Sequence, residues 1–145
     1  MIIRDRQYLN WRYCQRPDQT YTLYGVERGS ELEGFLVARI TTFQGVRWGY
    51  IIDFLAPEKE RGVLSSLIAA ALEDFRRSEA AAVTCYATDP AARGALFRAG
   101  FLPAPQREPI RFMRRMQGTR EDLAKFSALK LWYLTAGDGD LEMRP

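Results

Sequence analysis

A chain of 145 residues with 47% hydrophobic content suits one compact domain with a buried core. Its net charge of +3 is mild, and no run approaches the ~20 apolar residues of a membrane-spanning helix. Charge appears by Arg4, too early for a signal peptide, so we expect a cytoplasmic protein. Two cysteines and no histidine exclude a disulfide framework and Ser–His–Asp catalysis, and no metal site is expected.

The first part of the chain predicts one short helix and three strands. Asp5 is a suitable N-cap for a helix that ends before Pro17. Alternating hydrophobicity then predicts strands over residues 20–27, 32–43 and 46–56. Because glycine-containing hairpin turns join these strands, we expect an antiparallel meander.

A strongly amphipathic helix follows the third strand. Its apolar face has 3.6-residue spacing and consists of Val63, Leu64, Leu67, Ile68, Ala71, Leu72 and Phe75. The next strand is predicted over residues 81–88. A strand–helix–strand passage of this kind makes a right-handed crossover, so this strand should lie parallel to the one ending at Ala56.

A further helix has clear boundaries in the sequence. Asp89 is its N-cap, Pro90 takes the first helical position and Gly100 ends it. The pattern after it predicts a short helix over residues 119–126 and a last strand over residues 130–135.

A basic segment lies between these last elements. Residues 109–116 alternate partly, and their arginines favour a strand with a solvated basic face over contact with an anionic ligand. Nucleic acid is not the favoured partner, because the charge elsewhere is balanced.

Two turns carry the functional signal. The turn Glu58-Lys59-Glu60-Arg61-Gly62 leads into the amphipathic helix, whose first N–H groups and positive dipole end can bind a pyrophosphate. The run from Asp89 to Phe101 follows the next strand and closes on a Gly-Phe pair. Together these stretches resemble the GNAT acyltransferase superfamily, with the likeness extending from about residue 20 to 140.

The resemblance implies an α/β (α+β) fold with a mixed, mostly antiparallel twisted sheet and helices on both faces. It also implies acetyl-CoA or another acyl-CoA as cosubstrate. The backbone around Phe54, Leu55 and Ala56 would bond the pantetheine arm, and one of these N–H groups would stabilise the oxyanion. The pyrophosphate would meet Lys59 and the backbone N–H groups of Arg61, Gly62, Val63, Leu64 and Ser65.

The sequence departs from the family pattern in two places. Leu64 stands where the family has glycine or alanine, so its side chain is expected to crowd the pyrophosphate. Leu96 stands where many members carry a tyrosine general acid, and its neighbour Phe97 has no hydroxyl.

Asp53 is the candidate catalytic base. It is the only ionisable side chain between Tyr50 and Pro57, and family bases often lie on this strand. A structural role remains open, since a strand-end aspartate also bonds backbone groups or arginines. Asp138 and Asp140 are alternatives for attracting a cationic acceptor. The alternative proton donors are Tyr86, Tyr133 and Cys85.

Two hypotheses about function follow. The first is an acyl-CoA-dependent N-acyltransferase acting on a small-molecule or peptide amine, and the second is a GNAT-like binding or assembly module without catalysis. We treat residues 1–145 as a single GNAT-like domain, either a shortened member or the C-terminal half of a longer tandem protein. A homodimer is one possible assembly of the chain, and no membrane partner is expected.

Overall fold

A computed structural model of the chain describes residues 4–57, 60–103 and 133–138. The strand predicted over residues 109–116 and the helix over residues 119–126 lie outside these ranges. So do Lys59 and Asp140, together with the first residues of the last predicted strand.

From α1 to α3 the order of helices and strands follows the predicted one, whereas the described residues 133–135 of the last predicted strand take part only in an isolated bridge. The elements are α1 (Arg6–Leu9), β1 (Thr22–Arg28), β2 (Glu31–Phe43), β3 (Val46–Leu55), α2 (Arg61–Arg77), β4 (Ala82–Cys85) and α3 (Pro90–Arg98). Helix α1 continues as a π-helical segment, Asn10–Cys14, and a 3-10 turn covers Ala136–Asp138. The predicted caps are present: Asp5 accepts from the backbone N–H of Tyr8, and Asp89 from that of Ala92.

The four strands form one sheet in the order β1-β2-β3-β4. The first three are antiparallel neighbours, whereas β3 and β4 are parallel, with Trp48–Ile51 beside Ala82–Cys85. This confirms the predicted mixed sheet and its parallel pair. In the described part of the chain, no helix has the length and apolar character needed to cross a bilayer.

Helices cover both faces of the sheet. Alternate residues of β2 and β3, such as Leu36 and Ile51, face α2 and α3 and form the larger buried cluster with them. The intervening residues, such as Val37 and Tyr50, pack with Leu9 and Tyr13 of the N-terminal helical segment. The period-two pattern of a strand thus builds two cores, one on each face.

A bulge interrupts β3 just before its end. Val37 pairs with Asp53 and Ala38 with Ile51, which leaves Ile52 without a partner on β2. Two consecutive residues of β3 therefore face the N-terminal helical segment, because an extra residue shifts the alternation by one. The bulge turns Asp53 away from α2.

Helix α2 begins at Arg61. Gly62 therefore lies in the first helical turn, where the backbone N–H groups have no partner four residues earlier. A start at Pro57 would have placed Gly62 inside the helix and removed the basis for a phosphate-binding turn. The helix keeps its predicted apolar face, with Val63, Leu67 and Ile68 buried.

Candidate functional site

Asp53 lies at the centre of a buried polar cluster, with its side chain fully shielded from solvent. Four groups donate hydrogen bonds to the Asp53 carboxylate. Arg4 Nε lies 3.1 Å from each oxygen, and the hydroxyls of Tyr13 and Thr135 donate at 3.0 and 2.7 Å. The backbone N–H of the next residue, Phe54, donates at 2.9 Å. A buried carboxylate needs such partners, because its charge is costly to remove from water.

Arg4 joins Asp53 to a second carboxylate. Its Nη2 donates to Asp138 at 2.7 Å, and its side chain is 3% exposed. Burial lowers the pKa of Arg4, but the charges of Asp53 and Asp138 outweigh it, so the pKa lies above its ordinary value. One guanidinium therefore faces two carboxylates, and these three side chains carry a net charge of −1 when all are ionised.

The C-terminal segment closes the cluster. Thr135 donates from its hydroxyl to Asp53 and from its backbone N–H to Asp138, at 2.9 Å. A Cβ added to Gly137 would lie 3.0 Å from the Cβ and Cγ of Asp53, so the close approach of this turn requires glycine. Burial raises the pKa of Tyr13, and the charge of Asp53 raises it further, which keeps this phenol a hydrogen-bond donor.

The geometry of Asp53 suits the structural role that the sequence left open. A carboxylate that accepts from Arg4, Tyr13 and Thr135 together is not free to take a proton from a substrate amine unless one donor withdraws. Its assignment as general base stays a prediction. Asp138 is paired with Arg4, so its charge is partly neutralised where an acceptor would approach.

β3 and the chain after β4 separate beyond their short parallel ladder. The ladder ends at Ile51 and Cys85, whereas β3 continues beside β2 to Leu55. The chain after β4 pairs instead with the C-terminal segment, through an antiparallel bridge between Ala87 and Thr135. Within the described ranges, no strand pairs with this last part of β3 on the β4 side, and we refer to this edge of β3 as the opening.

Tyr133 reaches across this opening. Its hydroxyl donates to the carbonyl oxygen of Phe54 at 2.7 Å, and its ring lies edge-on to that of Phe54. The guanidinium of Arg4 lies 5.6 Å from the centre of the Tyr133 ring. Burial raises the pKa of this phenol, and the charge of Asp53 raises it further, so the group donates rather than ionises.

The start of α2 is sterically open at its glycine. A Cβ placed on Gly62 would meet nothing within 4 Å, and the neighbouring side chain of Ser65 is exposed. Leu64, by contrast, packs against the larger buried cluster. This packing argues against the expectation that Leu64 crowds a pyrophosphate, because the 3.6-residue period turns the side chain toward the sheet.

The remaining candidates for proton donation differ in burial and in acidity. Burial raises the pKa of Cys85 to about 12, which makes its thiol a poor acid. Burial also raises the pKa of Tyr86. Leu96 is buried and Phe97 exposed, and neither carries a proton to give. Tyr133 is the candidate that contacts the β3 backbone at the opening.

Sequence reasoning missed Arg4, Tyr13 and Thr135 as partners of Asp53. They lie 49, 40 and 82 positions from it, so no local spacing connects them. The only local signal was the helical pair Leu9 and Tyr13, four residues apart, which share a face. In the described part of the chain, no cluster of three or more His, Cys, Asp or Glu side chains is arranged to hold a metal ion.

Solved structures with a similar fold include acetyltransferases. A probable acetyltransferase superposes with a TM-score of 0.57 at 18% identity, over 77% of this chain and 78% of that one. An aminoglycoside acetyltransferase from an uncultured soil metagenomic sample, in complex with sisomicin, gives a TM-score of 0.53 at 16% identity, over 81% and 78%. A mutant protein from Thermus thermophilus gives 0.53 at 18% identity, over 65% and 72%.

No family model and no curated protein matches the chain. At these identities the likeness to the solved structures is one of fold. The chain therefore shares its mixed α/β fold with these acetyltransferases, as its strand–turn–helix and its parallel strand pair predicted.

Proposed function

We propose that this chain is an acyl-CoA-dependent N-acyltransferase that transfers an acyl group, most simply acetyl, to a small-molecule amine. The observation that carries the proposal is the opening beside β3, beyond Ile51, together with a helix that starts at Arg61 a few residues later. An open backbone edge followed by a helix N-terminus suits a ligand with amide groups and a pyrophosphate. The acetyltransferase fold and the aminoglycoside acetylated by one neighbour support the same class.

The cosubstrate would lie along the end of β3 and the start of α2. The backbone of Phe54, Leu55 and Ala56 would bond the pantetheine arm. Lys59 and the N–H groups of Arg61 and Gly62 would meet the pyrophosphate at the start of α2. The N–H of Val63 already donates to the carbonyl of Glu60 at 3.0 Å, and those of Leu64 and Ser65 fall within the hydrogen-bond ladder of the helix. The amine nitrogen then attacks the thioester carbonyl carbon, the C–S bond breaks, and the proton lost by the amine balances the one gained by the thiolate.

Tyr133 controls access to the β3 backbone in this proposal. Its hydroxyl already holds the Phe54 carbonyl, so an arm that uses this acceptor must displace or share the hydrogen bond. Tyr133→Phe frees the carbonyl while keeping the ring, and we expect it to tighten acyl-CoA binding. The same change would slow acyl transfer if this phenol delivers the proton to the thiolate.

Calorimetric titration with acetyl-CoA tests the proposal, followed by measurement of released CoA thiol with a panel of amines. Saturable binding with amine-dependent thiol release is the expected result. Tyr24→Phe is the matched control for Tyr133→Phe. It also removes a phenol hydrogen bond, the one to Asp74 at 2.8 Å, but on another part of the sheet. Failure of both native chain and Tyr133→Phe to bind acetyl-CoA would refute the proposal.

A binding or assembly module without catalysis is the second candidate. The observation that favours it is the complete pairing of Asp53, which leaves the proposed base engaged with Arg4 and Thr135. Acetyl-CoA binding without thiol release from any amine would support the module. Binding with release would support the enzyme.

The proposal includes a cytoplasmic location and a single domain. Cys14 and Cys85 are both free thiols, which suits a reducing compartment. A homodimer belongs to the same proposal and would be tested by sedimentation of the full chain.

A further inference from the structure

The C-terminal segment of residues 133–138, which we call the strap, lies across the opening beside β3. On one side its backbone follows the chain after β4. The N–H of Leu134 donates to the hydroxyl of Thr88 at 2.9 Å, and the N–H of Thr88 donates to the carbonyl of Leu134 at 3.2 Å. On the other side the Tyr133 hydroxyl holds the Phe54 carbonyl of β3. The strap therefore joins the two edges that the parallel ladder leaves apart.

The ring of Tyr133 lies between the two faces of the sheet. Its centre is 5.9 Å from that of Phe54, which belongs to the larger buried cluster on the α2 side. The guanidinium carbon of Arg4 lies 5.6 Å from the same centre, and Arg4 donates to Asp53 on the side of the N-terminal helical segment. One ring reaches both sides only where neighbouring strands have parted, because a continuous ladder separates the two faces. Tyr133 thus fills the place that the proposed pantetheine arm would take.

Charged side chains hold the strap in this position. Arg4 donates both to Asp53 of β3 and to Asp138 of the strap, the latter at 2.7 Å. Asp138 also accepts from the backbone N–H of Thr135 at 2.9 Å, and the Thr135 hydroxyl donates to Asp53 at 2.7 Å. Among the described residues, the only strand-type pairing of the strap is the isolated bridge between Ala87 and Thr135. Side chains rather than a backbone ladder therefore tie the strap to β3.

We infer that the strap is an autoinhibitory element, which closes the opening in the unliganded chain and is released when an acyl-CoA binds along β3. A segment with a single backbone bridge opens without unfolding the sheet, because local opening costs only the contacts of that segment. The apparent affinity for acyl-CoA is then the intrinsic affinity reduced by the fraction of chains with a released strap. This inference rests on the proposed function, whose cosubstrate site the strap regulates.

Gly137 offers a substitution that loosens the strap and leaves every charge in place. An added Cβ would overlap the Tyr13 hydroxyl and lie 3.0 Å from the Cβ and Cγ of Asp53, so the strap would no longer fit its closed position. Gly94→Ala is the matched control. Its added Cβ, in α3, would meet only the end of the Arg98 side chain, at 3.5 Å.

Amide hydrogen exchange of the unliganded full chain, followed by NMR, measures release of the strap, and calorimetric titration with acetyl-CoA measures its effect on binding. Gly137→Ala should speed exchange of the Leu134 amide about tenfold and leave the β4 amides unchanged. It should lower the Kd for acetyl-CoA by the same factor, because both quantities follow the released fraction. Asp138→Asn, which removes a charge that Arg4 faces, should change both in the same direction, and Gly94→Ala should change neither.

The inference is overturned if neither Gly137→Ala nor Asp138→Asn speeds exchange of the Leu134 amide. It is also overturned if exchange becomes faster while the Kd for acetyl-CoA stays the same. In that case binding by the native chain leaves the proposed function standing, so the two failures are distinguishable. Absence of acetyl-CoA binding in the native chain and in both variants would overturn the inference and the proposed function together.

Discussion

Replacing Asp53 by asparagine separates the structural role of this residue from the catalytic one. The substitution keeps the size of the side chain but removes the charge that Arg4 faces, and it puts an N–H₂ group among donors. Tyr13 and Thr135 point hydroxyl donors at the same place. At least one of these groups therefore loses its acceptor in a fully buried site.

The expected loss of stability follows from the burial of the pair. Removing one partner of a buried ion pair costs about 3–5 kcal/mol, and the remaining contact of Arg4 with Asp138 places this case near the lower end, at about 3 kcal/mol. For a domain of this size that corresponds to a fall of roughly 10 °C in the unfolding midpoint. Tyr13→Phe, which removes one donor and no charge, should cost only about 1 kcal/mol.

Urea unfolding of the native chain and the variants measures these differences. Asp18→Asn is the control, because Asp18 is exposed and its ion pair with Arg16 should contribute nothing measurable. A loss below about 1 kcal/mol for Asp53→Asn would refute the structural reasoning. A stability loss this small, combined with a fall of roughly 10²–10⁴-fold in the rate of acyl transfer, would identify Asp53 as the general base.

Three further predictions concern the rest of the fold. Gly62→Ala should leave the free energy of unfolding unchanged or raise it by up to about 1 kcal/mol, and it should weaken acetyl-CoA binding if a phosphate lies beside this residue. Gly49→Ala should instead lower the free energy of unfolding by about 1–3 kcal/mol, because the new Cβ would lie 2.8 Å from a ring carbon of Phe75. Native-state alkylation followed by peptide mass spectrometry should modify Cys14, which is exposed, well before Cys85, whose pKa burial raises to about 12. Burial raises the pKa of Tyr13, so its contribution to stability should be fully present below about pH 10 and should be lost as pH rises toward the folded-state pKa. The free energy of unfolding of Tyr13→Phe should therefore decline less steeply with pH in this range than that of the native chain. Equal labelling rates, or parallel pH profiles, would contradict the last two.

The regular elements could be read from the sequence because their determinants are local. The apolar period of residues 63–75, the N-caps Asp5 and Asp89, and the glycine turns between strands each act within a few residues. The same patterns predicted the parallel pairing of β3 with β4, since a crossover helix leaves few alternatives. They also predicted that a helix would start close to Gly62.

The surroundings of Asp53 were decided only by the tertiary structure. Simple alternation along β3 would put Asp53 on the same face as Ile51, under α2, and only the bulge at Ile52 turns it to the other face. There it meets Arg4 and Thr135, which are brought from the two ends of the chain. Local sequence determines which residues form helices and strands, because those interactions are short-range. The packing of distant segments determines which charges meet, because burial makes an unpaired carboxylate too costly to leave alone.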